Sequence, residues 1–220
     1  FEAMPGPASV VLKGDSLPAF DLHVAPIDLP LHFGTTLETV PAAVPYLPWP
    51  EPDSDPTLRL DAPSGRRIGL VWAGNPEHRH DRWRSIHDVR LLASLFDAPG
   101  AVFYNLQYGP RGDDFDRAGL GHRLVRLGDA RLADFWNLAG FVRQMDLGIS
   151  VDTAVCHLAG ALGVPTWTLL PFAGEWRWLQ DREDSPWYPT MRLFRQKRRN
   201  DWAEVVGRVV QALKVPRATP

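Results

Sequence analysis

An aspartate, a threonine and a histidine stand close together near the middle of the chain. Within SVDTAVCHLAGALGVP (150–165), Asp152 ends an apolar run and His157 follows it by five residues. A helix beginning here would turn the free amides of Thr153 and Ala154 toward a ligand, and its dipole favours an anion. His157 would share the face of Thr153. The pattern predicts a phosphate site; the alternative is a helix capped by the Asp152 carboxylate, with His157 satisfied in the core.

A second cluster of this kind is basic. The segment 78–84 reads HRHDRWR and comes after the apolar run 68–73. A guanidinium suits phosphate because its planar fork can hold two oxygens. We therefore predict that Arg84 contacts phosphate. The alternative is a solvated loop whose charges are partly balanced by Glu77 and Asp81.

Two further candidates follow later apolar runs. Gln107 ends the run 101–106 and would hydrogen-bond a ligand or be satisfied within its own loop. The aromatic loop 176–187 offers Trp176, Arg177 and Trp178 as a candidate sugar or acceptor loop, because aromatic faces stack on sugars and long loops carry specificity. The alternative is a loop that anchors itself through buried tryptophans.

Alternating apolar runs predict the elements that position these residues. Strands are expected at 68–73, 101–106, 124–127, 147–151, 166–170 and 191–195. Helices are expected at 85–96, with Ser85 as the N-cap, at 113–118, 132–145 and 153–162, and from Asp201, where Glu204 completes a capping box. This alternation predicts an α/β fold: a Rossmann-like parallel sheet over 66–215, with helices on both faces and ligands at the carboxyl ends of the strands.

The first 58 residues have a different composition. Proline is frequent, and 48–56 has the character of an extended linker. Strands are expected at 9–12 and 20–27, which are too few to bury a core alone. We therefore expect 1–58 to be the remnant of another domain with its linker, and a first residue that is Phe1 suggests a fragment of a longer protein.

Composition excludes several classes of function. The 24 basic and 26 acidic side chains nearly balance, which argues against a nucleic-acid binder. The single cysteine, Cys156, fits a reducing compartment, and no apolar run reaches the ~20 residues of a membrane span. We therefore expect a cytoplasmic protein. The motifs of dinucleotide-binding and P-loop sites are absent from the sequence, and no four-ligand metal cluster is evident, so neither a cofactor nor a metal is predicted.

Several separated motifs resemble one family. The stretch 150–165 is similar to the D-T-x-x-x-H-L-A-A-A-L-x-x-P signature of heptosyltransferase-like GT-B glycosyltransferases. GLVWAGNPEHRHDRWRSI and EWRWLQDREDSPWYPTMRLFRQ resemble the domain of that superfamily found after tetratricopeptide repeats in bacterial proteins. The resemblance covers about two-thirds of the chain, 67–214. It departs at Glu175, where aspartate is expected, and at Cys156, where alanine is common.

The resemblance implies the carboxyl-terminal half of a GT-B fold and a nucleotide-diphosphate sugar as ligand. Asp152, Thr153, Ala154 and His157 would surround the pyrophosphate, and Arg84 would stand where heptosyltransferases use a lysine. The base would lie near 128–135. The implied function is transfer of the sugar to an acceptor that the sequence does not identify. The alternative is a non-catalytic module, within a repeat-containing scaffold, that binds nucleotide sugars or proteins.

The resemblance also places the catalytic residues in an N-terminal half. Residues 1–58 lack the glycine-rich E-Q-G-L-G-D type of loop that related repeat-containing proteins carry there. We therefore expect the chain alone to be inactive in transfer. A face built to meet another domain is apolar, so self-association is expected as well.

Overall fold

A parallel sheet of six strands organises the computed structural model, which describes residues 9–60 and 64–215. The strands are β1 (Arg66–Val71), β2 (Ala101–Asn105), β3 (Val125–Arg126), β4 (Leu147–Val151), β5 (Thr166–Leu170) and β6 (Met191–Arg195). Their order is β3-β2-β1-β4-β5-β6, and every neighbouring pair is parallel. The chain reverses its direction of winding between β1 and β4, so the loops that follow these strands diverge and open a crevice.

Helices cover both faces of this sheet, as the sequence predicted. The α-helices are α1 (Leu29–His32), α2 (Asp81–Arg84), α3 (Asp114–Arg117), α4 (Asp129–Leu132), α5 (Phe135–Arg143), α6 (Ala154–Ala161) and α7 (Trp202–Lys214). The neighbours Leu70 and Val71 of β1 point to opposite faces. Leu70 packs in a core with α7 and the 3-10 helix Val89–Asp97, whereas Val71 packs in a core with α5 and α6. The predicted α/β class is confirmed.

Two predicted helices differ in their bounds. Ser85 does not begin a helix; the 3-10 helix Val89–Asp97 begins later, where the Asp88 carboxylate accepts from the amide of Arg90. The helix expected at 132–145 is α5, which begins only at Phe135, and Leu132 belongs to the separate helix α4. Asp134 separates them because its extended backbone and its carboxylate, which accepts from the amide of Asn137, start a new helix.

The segment 9–60 carries no strand. The strands predicted at 9–12 and 20–27 are wrong: both stretches are exposed, and no other strand lies beside them to complete a ladder. Residues 44–60 instead lie along α5 and α6, where Leu58 is buried and the amide of Tyr46 donates to Ala161 O at 3.0 Å. The prediction that 1–58 belongs to another domain stays a prediction, and residues 1–8 lie outside the described part.

No helix within 9–60 or 64–215 combines the length and the apolar character that crossing a bilayer requires.

Candidate functional site

A cleft lies where β1, β4, β5 and β6 end. Its volume is about 740 Å³, and its walls are the loops that follow these four strands. Arg84, Thr153, Ala154 and His157 all line it, together with Asp152. The structure therefore brings five of the six residues predicted to bind the donor to one cleft. That volume suits a small-molecule ligand.

The floor of the cleft is formed by the amino end of α6. The helix begins at Ala154, with Thr153 as its N-cap residue. The expectation that Asp152 caps this helix is wrong, since no side chain accepts from the first turn. The amides of Ala154 and Val155 have no helical acceptor at this position and carry the positive end of the helix dipole. The start of α6 is therefore suited to an anion.

The ring of His157 is held by two aromatic neighbours beside this turn. Its Nδ1 lies 3.1 Å from the Tyr188 hydroxyl, and its plane stacks on the buried Trp178 with centroids 5.0 Å apart. Its Nε2 is 3.6 Å from Asp152 Oδ1, too long for a hydrogen bond. The side chain is 27% exposed, so His157 is a fixed group at the cleft wall rather than a core histidine.

A glycine makes the position of Tyr188 possible. A Cβ atom on Gly160, in the middle of α6, would lie 2.5 Å from Cγ of the Tyr188 ring. Only a residue without a side chain lets the ring rest directly on the helix at this point. The small residues after His157 therefore serve the geometry of the site through Tyr188.

Asp152 is ionised at neutral pH. Burial favours the neutral form of this carboxyl, but His157, the nearby indole N–H of Trp178 and the positive charge of Arg84 outweigh burial and lower its pKa. Its charge is thus directed to groups within the protein. This reduces the repulsion that a carboxylate would otherwise exert on an anion in the cleft.

Arg84 is positioned by a small buried network. The Asp81 carboxylate accepts from Ser85 Oγ, which accepts from the amide of Gly74 at 2.9 Å. A Cβ on Gly74 would lie 2.9 Å from Nη2 of Arg84, so the glycine admits the guanidinium against the end of β1. Arg84 Nε is buried without a hydrogen-bond acceptor. Its guanidinium lines the cleft and forms no ion pair with a described residue, although its charge acts on the nearby Asp152.

Gln107 is the one of the six predicted donor-binding residues that does not line the cleft. Its Oε1 accepts from the amides of Trp72 and Ala73 at 3.1 and 2.9 Å, and its Nε2 donates to Tyr108 O at 3.3 Å. The side chain is 5% exposed. Of the two alternatives for Gln107, the structure shows the one in which its amide is hydrogen-bonded within the protein. Gln107 therefore shapes the end of β1 and is not a ligand contact.

The tryptophan-rich loop 176–187 was predicted either to bind a sugar or acceptor or to anchor itself through buried tryptophans, and its residues differ in which of these they fit. Trp178 is fully buried beneath His157, which matches the anchoring alternative. Trp176 is half exposed and packs edge-to-face on Trp187, outside the cleft lining. Arg177 alone of the three predicted residues lines the cleft, and it pairs with Glu175 at 3.2 Å.

The sequence did not single out the wall that follows β6. Gln196, Arg199 and Asn200 line the cleft there. Gln196 is 2% exposed; its Oε1 accepts from the amides of Phe172 and Asn200, and its Nε2 has no partner. A buried donor without an acceptor costs about 1–3 kcal/mol. The only sequence signal was the position of these residues directly after a predicted strand.

Asp152, Cys156 and His157 are close enough to be considered as metal ligands. Burial raises the pKa of the Cys156 thiol to about 12, and its Sγ donates to Thr153 O at 3.0 Å. A metal needs the thiolate, which this environment disfavours. These three residues therefore do not fit a metal site.

No family model matches the chain. Among curated proteins, it is similar to Protein FlbA of Caulobacter vibrioides, with 33% identity over 153 residues. The match covers 68% of this chain and 25% of FlbA, so the chain spans a quarter of that relative.

Solved structures of heptosyltransferases share the fold. The Escherichia coli heptosyltransferase WaaC with ADP aligns at a TM-score of 0.50 and 17% identity, over 80% of this chain and 53% of that one. WaaC with ADP-2-deoxy-2-fluoro heptose gives 0.48 and 18%, over 75% and 50%. The chain thus spans about half of the enzyme. Its fold is that of a heptosyltransferase-like GT-B domain, as its motifs predicted.

Proposed function

We propose that this chain binds the nucleoside diphosphate part of a nucleotide sugar. The observation that carries the proposal is the meeting of Arg84 and the amino end of α6 in one cleft. The amides of Ala154 and Val155 would donate to one phosphate, while the Arg84 guanidinium would hold a second pair of oxygens. The ADP in the matched WaaC structure supports the same ligand class.

The charges around the cleft support a polyanion. Four arginines line it, namely Arg79, Arg84, Arg177 and Arg199, against the two acidic residues Asp152 and Glu175. Asp152 faces His157, and Glu175 pairs with Arg177 and accepts from its amide. Both acids therefore already have partners, and the excess positive charge is available to phosphate.

His157 would complete the phosphate environment. The tautomer in which the Tyr188 hydroxyl donates to Nδ1 places the ring proton on Nε2. That N–H has no acceptor at hydrogen-bond distance in Asp152, which lies 3.6 Å away. It can therefore donate to a phosphate oxygen, on which negative charge grows when the glycosidic bond breaks.

We further propose that sugar transfer belongs to the longer protein, with 66–215 as the donor-binding domain and 1–58 as part of its neighbour. A general base for an acceptor hydroxyl must be within hydrogen-bond reach of that hydroxyl and free to take its proton. In the described cleft wall Glu175 is paired with Arg177, and the pKa of Asp152 is lowered by His157, Trp178 and Arg84, which makes its carboxylate a weak proton acceptor. The base would therefore come from another domain. The same observation favours the second candidate function, a module that binds a nucleotide sugar without transferring it.

Calorimetric titration of the chain with ADP, GDP, UDP and CDP, and with the matching monophosphates, tests the binding proposal. We expect at least one diphosphate to bind, more tightly than its monophosphate and with an affinity that falls as salt rises. No binding of any diphosphate at millimolar concentration would contradict the proposal. Release of nucleoside diphosphate over multiple turnovers, by this chain alone, would contradict the division between binding and transfer. Turnover by the full-length protein separates the two candidate functions.

A further inference from the structure

The wall of the cleft that follows β5 and β6 is polar, positively charged and separate from the proposed phosphate position. The phosphate position lies at the ends of β1 and β4, whereas Gln196 and Arg199 follow β6. Two strand spacings separate β4 from β6, which is roughly 10 Å. A group bound at this wall would therefore be a different part of the ligand from the diphosphate.

Gln196 is fixed in place with its donor unused. The amides of Phe172 and Asn200 donate to its Oε1 at 3.2 and 3.1 Å, which ties the loop after β5 to the loop after β6. Asn200 has a φ of 62°, a left-handed conformation that asparagine tolerates, and this turn brings its amide to Gln196. The Gln196 Nε2 atom is buried at the cleft wall and has no acceptor among the described residues.

Arg199 supplies a positive charge at the same wall. Its guanidinium lies 5.8 Å from the centre of the Phe172 ring and forms no ion pair with the described residues. The adjacent Arg198 behaves differently, since it pairs with Asp201 at 2.7 Å and does not line the cleft. Arg199 and Gln196 thus both line the side of the cleft that follows β6.

We propose that this wall binds a carboxylate on the sugar, so that the ligand is a nucleotide-activated sugar acid. A carboxylate offers two acceptor oxygens, one for the amide of Gln196 and one for the guanidinium of Arg199. A neutral sugar hydroxyl would leave the charge of Arg199 without a counterion. The inference rests on the proposed function, because the phosphate must occupy its own site for the sugar to reach this wall.

The test compares glucuronic acid 1-phosphate with glucose 1-phosphate, a pair that differs only in the carboxylate and does not depend on the nucleobase. Each is titrated into the chain by NMR or calorimetry, with ADP, GDP, UDP and CDP as references. We expect the sugar acid to bind about tenfold more tightly than the neutral sugar. Arg199→Gln should remove this preference, and Arg198→Gln, the matched control, should keep it.

A second variant tests the amide itself. Gln196→Glu keeps an oxygen for the amides of Phe172 and Asn200 but replaces the donor with a negative charge. We expect it to fold with a lower melting temperature, because a carboxylate is costly at this buried position, and to bind the neutral sugar phosphate in preference to the acid. If it unfolds, the Arg199 comparison still decides.

Three results would overturn the inference. They are equal affinity for the two sugar phosphates, no binding of either where a diphosphate binds, and a preference that survives Arg199→Gln. If the diphosphates also fail to bind, the proposed function is wrong as well, so the two failures are distinguishable.

Discussion

Replacing Arg84 tests the phosphate site most directly. Its guanidinium lines the cleft, makes no ion pair with a described residue and carries a buried Nε without an acceptor. Arg84→Ala removes the charge, whereas Arg84→Lys keeps the charge and removes the planar fork. The order of affinity for a nucleoside diphosphate should therefore be wild type, then Arg84→Lys, then Arg84→Ala.

The size of the effect follows from the contacts that the guanidinium would make. A hydrogen bond to a charged group contributes about 1.5–3 kcal/mol, so we expect Arg84→Ala to raise the dissociation constant roughly tenfold to a hundredfold. Lysine acts on phosphate as a point charge, and Arg84→Lys should lose about half of that free energy. Stability should behave differently. Because the Arg84 side chain makes no hydrogen bond or ion pair with a described residue and its Nε is buried unsatisfied, the melting temperature without ligand should stay the same or rise.

Calorimetry with the best-bound diphosphate and thermal unfolding without ligand measure both quantities. Arg82→Ala is the matched control, since Arg82 lies over Trp83 at 3.6 Å and is absent from the cleft lining. Its affinity should stay within about twofold of wild type. Unchanged affinity in Arg84→Ala would return Arg84 to the solvated-loop alternative. A large loss in the Arg82 control as well would indicate a general charge effect.

Three further predictions concern the support of the site. Gly160→Ala should lower the free energy of unfolding by about 1–3 kcal/mol, because its Cβ would meet the Tyr188 ring. Gly207→Ala is the control: its Cβ would meet nothing within 4 Å, so it should raise the free energy of unfolding by about 0.5–1 kcal/mol. Chemical denaturation measures both variants, and stabilisation by both would refute the contact with Tyr188. The Cys156 thiol is buried, and burial raises its pKa to about 12. It should therefore resist iodoacetamide at pH 8 in the native protein and react in denaturant. Rapid labelling of the native protein would contradict this burial. Because the pKa of Asp152 is lowered in the folded state, the stability that its carboxylate contributes is present at neutral pH and is lost as pH falls below about 4. The melting temperatures of wild type and Asp152→Asn should therefore converge in acid. A difference in melting temperature that stays constant with pH would refute this.

The sheet was the part of the fold that the sequence specified well. Strands such as β4 and β5 lie at the bounds predicted from continuous apolar runs, because a strand buried on both faces has to be apolar throughout. Predictions failed where local hydrogen bonds decide the structure. The carboxylates of Asp88 and Asp134 set helix starts that apolar periodicity alone placed elsewhere.

The residues of the site were predictable to the extent that they sit directly after strands. Asp152 and Arg84 follow β4 and β1, and both lie in the cleft. Gln107 follows β2 in the same way, yet its side-chain oxygen accepts from the backbone amides of Trp72 and Ala73, just after β1. The sequence does not reveal this orientation of the side chain. His157 was expected at the right place, but its contact with Tyr188 spans 31 residues and depends on the tertiary fold.

Three of the six buried side-chain atoms without a partner in the described chain lie in or directly beneath the proposed ligand cleft; the other three belong to Tyr104, Thr168 and Arg195, which do not line it. Arg84 Nε and Gln196 Nε2 belong to the cleft lining, and Trp178 Nε1 lies beneath His157. Each such group costs about 1–3 kcal/mol in a fold whose net stability is only about 5–15 kcal/mol. The surrounding hydrogen bonds, from the Gly74 amide to Ser85 Oγ and from the Phe172 amide to Gln196 Oε1, hold the backbone around these groups in place. The donors are thus oriented before a ligand arrives, and an anion that accepts from them would offset a cost that the free protein carries alone.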